Sequence, residues 1–498
     1  MAITAGGSLN TTTTSQKQTL SANYLDLAGT AGEGWAQQYL PDLMEKEAEV
    51  FGQRTISGFL SQVGAEEAMQ GDQVVWSEQS RLHLSYTGTV IAAGGTSGSF
   101  TVISDIDGHA DDEEGFNVEL HGIRVNDIVL LASAGIVVRA RVSVVTGAVI
   151  NVESYETAAL TTLSTTASKT RILVVGSEYA KGQSYYKIDG TTETDSRGAN
   201  EPIFKSYSNK PIIMKDYYEV SGSDTARVGW IEVTSETGDS GYMWYLKAEA
   251  DTRARFNDYL EMAMLESEKT LAASTIGPVP GTIASDHGTT AGTQGLFDAI
   301  ETRGNITSGV TGVNAATDLA EFDAILAEFD KQGAIEENMM FVNRATSLAM
   351  DDMLASMNSY GAGGTSYGVF DNSEDMALNL GFSGFRRGSY DFYKSDFKYL
   401  NDKATRGGIN DFAGSEAIRG VIIPAGTSSV YDQQLGKNLK RPFLHVRYRA
   451  SETDNRRMKS WVTGSVGAAT SALDAMQIHM LSERCLITQG ANNFMIMK

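Results

Sequence analysis

Residues 240–274 read SGYMWYLKAEADTRARFNDYLEMAMLESEKTLAAS, and the fold is decided by how this stretch is read. No Pro interrupts it, and after Gly241 no Gly occurs until Gly277. Its second half is dense in strong helix formers, among them Glu261, Met262, Ala263, Met264, Leu265 and Glu266. Phe256, Leu260, Ala263, Met264, Ser267 and Leu271 recur at steps of three and four, which draws one apolar-to-small stripe along a helix. Glu249 before Arg253 and Asp251 before Arg255 are acid-then-base pairs at four-residue spacing on the solvated side. Asp239 or Ser240 can cap the start. Lys269 suits the negative end of the helix dipole, and Gly277–Pro278 stops the helix. A helix of roughly 30 residues is about 45 Å long. One stripe cannot hold that length by itself, so a sheet or an arm must lie along it. The stretch reads as a structural strut, not a catalytic element.

Composition narrows the function. The chain has 498 residues, enough for several domains. Lys and Arg number 40 against 62 Asp and Glu, a formal net charge of −22, which removes the basic footprint of a nucleic-acid binder. Cys485 is the single cysteine, so no internal disulfide forms; between Arg484 and Leu486 it reads as a small core hydrophobe. The start, MAITAGGSLNTTTTSQ, lacks the basic-then-apolar pattern of a secretory signal. The longest apolar stretch, Ile128 to Val138, is far shorter than a membrane span.

Outward from the strut, the chain divides as follows. Residues 1–65 read as an N-terminal arm: a polar start, then short amphipathic pieces at 34–39, 43–51 and 55–63 that need a partner elsewhere. Alternation at Leu82, Leu84 and Tyr86, and again through 184–223, reads as two arms of a β-ribbon spanning 66–88 and 180–220. Between them, residues 89–179 read as an inserted, barrel-like β-domain. Its strand candidates are FTVI, GFNVEL, DIVLLA, IVVRARVSVV, VINVES and TRILVVG. Val129, Leu131, Ile136, Val138, Val142 and Val144 are its expected inward residues, and the module is expected to fold alone. After the strut, 291–440 reads as a compact α+β domain. It has a helix over Asp318–Phe329 stopped by Gly333, a buried strand MMFVN, a helix capped by Asn343, and strands in YDFYKSDFKYL and GVIIPAG. Residues 221–290 and 441–498 return to the strut.

No constellation of catalytic residues emerges. The six histidines, His83, His109, His121, His287, His445 and His479, form no close pair. DIDGHADDEEG at 105–115 is the densest acidic cluster. Counted as a calcium hand from Asp105, it places His109, Ala110 and Phe116 where a ligand, a glycine and a glutamate belong. A solvated loop is the reading, with a cation site as the alternative. GTSYG around Ser366 matches GxSxG, but a helix and a Gly-rich loop precede it where a nucleophile elbow needs a strand. Arg386–Arg387 and Arg456–Arg457–Lys459 read as partners for acidic neighbours, within or between subunits. No catalytic, cofactor-binding or metal residue is assigned.

As a set, the order of arm, ribbon, strut, α+β domain and closing strands resembles the major capsid proteins of tailed bacteriophages, the Hong Kong 97 fold. In that family the parts are the N-arm, the E-loop, the P-domain with its spine helix, and the A-domain. SNKPIIMKDYYEVSGS at 208–223 and LSERCLITQGANNFMIM at 481–497 look most like capsid proteins of crAss-like phages. The resemblance implies an α+β fold of this type with an inserted all-β domain. It implies self-assembly into hexamers and pentamers of an icosahedral shell around double-stranded DNA, held without sequence-specific binding. It also implies portal, scaffolding and auxiliary or decoration proteins as partners, a place in the virion after assembly in the bacterial cytoplasm, no cofactor, no membrane and no enzymatic activity. In some family members a Lys of the E-loop is crosslinked to an Asn; Lys181 and Lys187 lie in the matching ribbon, and nothing in the sequence marks the Asn. An encapsulin-like compartment shell, a tail sheath or other virion component, and a secreted hydrolase are the competing readings.

Overall fold

A computed structural model gives the architecture. It describes residues 65–79, 85–92, 95–106, 108–111, 116–133, 135–156, 159–166, 168–182, 204–223, 233–234, 240–241, 243–269, 292–333, 335–357, 384–412, 416–425, 427–432, 437–466 and 469–498. The expected arm before residue 65, His83, His287, Lys187, Ser366 and the Gly277–Pro278 stop lie outside the described residues.

The fold is mixed α+β. In chain order, β1 (Ala65–Met69) and β2 (Val74–Gln79) precede β3 (Ser85–Ala92), β4 (Ser97–Ser104), β5 (Asp127–Ser133), β6 (Ile136–Thr146), β7 (Val149–Ser154) and β8 (Thr170–Ser177). β9 (Phe204–Asn209), β10 (Ile212–Ser221), β11 (Val233–Thr234), β12 (Ser240–Gly241) and the long helix α1 (Met243–Glu266) follow. Next come α2 (Leu296–Arg303), β13 (Asn305–Thr307), α3 (Ala315–Gln332), β14 (Glu337–Val342), α4 (Arg344–Met357), β15 (Gly384–Arg387), β16 (Tyr390–Asp396), α5 (Lys398–Asn401) and α6 (Arg406–Asn410). The chain closes with β17 (Gly420–Pro424), β18 (Thr427–Asp432), β19 (Lys437–Pro442), β20 (Leu444–Arg449), β21 (Lys459–Gly464), β22 (Ala475–Thr488) and β23 (Met495–Met497). The described residues fall into two compact units, one drawn from 214–261 and 458–481, the other from 65–213, 262–457 and 482–498.

In the first unit the strut lies on strands, as its stripe requires. Phe256 and Leu260 are buried against Met480, and Met214 packs beside them. β21 runs antiparallel to β22 with Trp461 opposite His479, and β10 borders β22 as well. The helix is shorter than its pattern, 24 residues or about 36 Å. Its start moves inward because Ser240 pairs with Thr234 in a two-residue ladder, so Ser240 is not the cap. The Glu249–Arg253 pair forms at 3.5 Å, while Arg255 reaches across to Asp216 at 3.6 Å.

In the second unit the helix end runs into a turn. Ser267 and Lys269 lie beyond Glu266; the Lys269 ammonium donates to the Ser208 carbonyl at 3.3 Å rather than to the last helical carbonyls. The Ser267 carbonyl accepts the Gly295 N–H at 2.6 Å. A Cβ at Gly295 would stand 2.7 Å from that oxygen, so this crossing needs glycine.

The barrel β3-β4-β7-β6-β5-β8 is closed, with antiparallel pairing at each neighbour, and so exposes no strand edge. Phe100, Leu131, Ile150 and Ile172 fill it at under 2% exposure. Of the six expected inward residues, Val129, Leu131, Val138 and Val142 are inside. Val144 and Ile136 are not, at 41% and 39% exposed. A register shift between Val142 and Val144 resets the alternation, so Val145 turns inward in place of Val144. Ile136 sits at the rim beside Gly135, whose φ is 84°. GFNVEL is not a strand; Asn117 turns the chain by accepting the Glu119 N–H on its side chain at 2.8 Å. The barrel also starts earlier than the alternation suggests: β3 begins at Ser85, and Tyr86 is in the barrel core.

A six-stranded mixed sheet, β13-β23-β17-β14-β16-β15, carries α3 and α4. Phe322, Ile325 and Phe329 of α3 and Met350, Met353 and Leu354 of α4 pack on Met340, Phe392 and Ile422. α3 runs beyond the expected 318–329 because Asn314 caps it, accepting the Thr317 N–H at 3.0 Å, and Gly333 ends it in the left-handed conformation at φ 66°. Asn343 caps α4 as its position suggests, accepting the Thr346 N–H at 2.8 Å. YDFYKSDFKYL is only half strand. Tyr399 and Leu400 are adjacent and both buried, which alternation forbids, and they lie on the turn α5. Separately, β1 runs parallel to β20, β20 is antiparallel to the end of β22, and β2 pairs with β9.

Candidate functional site

Several of the chemistry-bearing side chains among the described residues bond within the fold. Asp105, the would-be first ligand of a cation loop, accepts the His109 N–H at 2.8 Å and faces the His109 ring at 2.9 Å. Asp111 accepts the Val118 N–H at 3.1 Å. Asp105 and Asp111 are thereby tied to backbone groups, and no group of potential metal ligands assembles among the described residues.

Four of the six histidines, His109, His121, His445 and His479, lie among the described residues. The His121 ring bonds the Gly147 carbonyl through Nε2 at 3.0 Å and accepts the Ile123 N–H on Nδ1 at 3.2 Å, which fixes a neutral tautomer. Burial lowers its pKa. His445 is buried, with Nδ1 on the Pro442 carbonyl at 3.3 Å. His479 stacks between Trp461 and Tyr217, with ring centroids at 5.3 and 6.0 Å, and its Nε2 meets the Thr463 hydroxyl at 2.7 Å. Cys485 is fully buried against Met69, and desolvation pushes its thiol up to about 12, far from thiolate chemistry.

The arginines of the two basic clusters pair within the chain. Arg387 grips Asp323 with two bonds at 2.6 and 2.7 Å, and Arg386 faces Asp391 at 3.6 Å. Arg456 reaches Glu483 at 3.2 Å, and Arg457 binds Glu66. Glu483, 2% exposed, also holds Arg449 at 2.6 Å. Lys181 is exposed just after the barrel.

Three buried or half-buried polar junctions were invisible to sequence patterns, because their members lie far apart in the chain. Asn209 donates to the Leu486 carbonyl at 2.6 Å and to the Gln294 carbonyl at 3.0 Å, while its own oxygen accepts the Gln294 N–H at 2.8 Å. Glu266 accepts the Tyr399 hydroxyl and an Arg406 N–H, each at 2.8 Å. Burial and the Glu266 charge drive the Tyr399 pKa far up, so the phenol stays a donor. Lys394 pairs with Asp351 and donates to the Ser347 carbonyl at 3.1 Å. Such junctions fix geometry. None juxtaposes a nucleophile, a base and an open cavity.

No protein-family model matches the chain. No curated protein matches it either. Solved structures do. A chain of Microbacterium phage Oxtober96 matches at 8% identity and a TM-score of 0.38, covering 95% of this chain and 99% of that one. The capsid structure of the cyanophage P-SCSP1u matches at 7% identity and a TM-score of 0.37, covering 97% and 98%. The capsid of the native GTA particle matches at 10% identity and a TM-score of 0.34, covering 94% and 97%. At TM-scores under 0.5, these likenesses carry no conclusion about this chain.

Proposed function

We propose that the chain is the major capsid protein of a tailed bacteriophage, a structural protein without catalytic activity. The observation that carries this reading is the arrangement of elements along the chain. A short antiparallel pair, β2 with β9, flanks a closed barrel. A 24-residue helix then lies on strands that include the late strand β22, and a helix-covered mixed sheet follows. This is the order of E-loop, insertion, spine helix and A-domain in the Hong Kong 97 fold that the sequence resembles. On this reading, residues 1–65 are the N-arm, 66–88 and 180–220 the E-loop, and 89–179 the inserted domain. Residues 221–290 and 441–498 form the P-domain, and 291–440 the A-domain. Copies assemble as hexamers and pentamers into an icosahedral shell in the virion. The net charge of −22 suits a lining along which packaged DNA slides without being gripped. Portal, scaffolding and decoration proteins are the expected partners, and the segments at 208–223 and 481–497 point to a crAss-like capsid.

Negative-stain microscopy of the purified full chain tests this. Closed shells or capsomer rings are expected. Tubes would favour a sheath, and a strictly monomeric protein at high concentration would overturn the proposal.

A further inference from the structure

On the barrel's outer surface, strand register aligns two rungs. Arg139, Leu130, Leu173 and Ser85 stand opposite one another across β6, β5, β8 and β3, and Val137, Ala132, Arg171 and Thr87 form the next rung. Val137 is 57% exposed and Leu173 40%. Where the second rung meets the rim, a depression of about 410 Å³ opens, with Ile136 and Val137 as its apolar wall and Lys169 and Arg171 as its cations.

The cations here differ from their neighbour Arg141. On the same strand, Arg141 is matched by Glu153 at 3.1 Å. In contrast, among the described residues no carboxylate or carbonyl pairs with the side chain of Arg139, Lys169 or Arg171. Two copies each carrying −22 repel at long range, and salt screens that repulsion only beyond about 8–10 Å. Close approach therefore needs local sites where cations of one copy meet the abundant carboxylates of another. An apolar wall beside unmatched cations is such a site.

We infer that this basic, apolar-walled depression docks a second copy of this chain, through a segment that presents carboxylates beside an apolar side chain. The inference rests on the self-assembly reading and adds a surface to it.

The test uses the full chain. Unlabelled and ¹⁵N-labelled copies are mixed before assembly and coupled with a zero-length carbodiimide, and the Lys169 crosslinks are read by mass spectrometry. Sedimentation of the Arg139→Glu/Arg171→Glu variant runs alongside, with a thermal melt by circular dichroism. We expect mixed-isotope links from Lys169 to a carboxylate. We also expect about a tenfold or larger rise in the concentration needed for assembly, with an unchanged melt. If the glutamate variant melts early, Arg139→Gln/Arg171→Gln replaces it. Assemblies that form with no intermolecular Lys169 link, or that form equally well from the variant, overturn this surface and leave the shell reading standing. A wild-type chain that never assembles overturns both.

Discussion

The barrel and the six-stranded sheet bury their strands in opposite ways. The barrel draws all its strands from residues 85–177 and closes on itself. The sheet inserts the three-residue strand β23, Met495–Met497, between β13 and β17. Both interiors are equally dry: Val90, Phe100 and Ile150 in one, and Met340, Ile422 and Ile496 in the other, are all 0% exposed. What differs is the length of chain that must be brought together before burial is complete. The barrel needs one neighbourhood, whereas the sheet waits for residues 495–497. Long-range pairing of that kind is costly in loop entropy and slow.

The comparison breaks most cleanly at the C-terminus. Removing residues 491–498 takes out Phe494, Met495, Ile496 and Met497, all 0–1% exposed. Each large buried side chain is worth roughly 2–5 kcal/mol, so the combined loss of about 8–20 kcal/mol is as large as a typical stability of about 5–15 kcal/mol. The sheet is expected to unfold while the barrel persists. Limited proteolysis should then leave a resistant fragment spanning 85–177. Joint loss of both regions would show that the barrel borrows stability from the rest of the unit.

The reverse break is expected to be smaller. Phe100→Ala empties the barrel centre at a cost of about 3–5 kcal/mol. Hydrogen exchange should rise across β3–β8 and stay slow in β14 and β17. Fast exchange in both sets would again contradict the separation.

The same contrast explains what could be read from sequence. Barrel strands announced themselves through alternation, and the misreadings there were local: a bulge that flips Val144, and an Asn117 turn in place of a strand. In the sheet, β17 was legible as an apolar run, since all five of its residues are buried. Its neighbours were not legible, because no local pattern says that Ile496 pairs with Val421. The strut was legible for its stripe, but its ends were not. Glu266 is held by Tyr399 and Arg406, and no spacing rule reaches across that distance.

Within the sheet region, Lys394 and Asp351 sharpen the picture at the level of one pair. Their side chains are 6% and 10% exposed, beside the apolar α4 residues Met350 and Leu354. Lys394→Met leaves the buried Asp351 carboxylate without its cation and should cost about 3–5 kcal/mol. Lys394→Met with Asp351→Leu removes both charges and should return most of that stability. Denaturant melts of the two variants decide this; equal losses would mean that the pair serves packing, not charge balance.

The smallest expected effect separates the two regions by pH. His121 is the one histidine in contact with the barrel core among the described residues, through the edge of Tyr86 at 6.0 Å, and the strands of the six-stranded sheet contain none. Desolvation lowers the His121 pKa below 6.5, with the Gly147 bond opposing it in part. Protonation would also turn Nδ1 from an acceptor into a donor facing the Ile123 N–H. Because the folded pKa lies below the unfolded one, the unfolded chain binds this proton more readily. The contribution to stability is therefore fully present above pH 6.5 and declines as pH falls below it, until the folded ring also protonates. Exchange in β3–β8 should quicken between pH 7.5 and 5.5 after correction for intrinsic rates, while β14 and β17 show no histidine-linked change. His121→Gln should flatten the barrel's response. A ring-proton titration of His121 with its midpoint at or above 6.5 would contradict the buried, neutral imidazole on which this prediction stands.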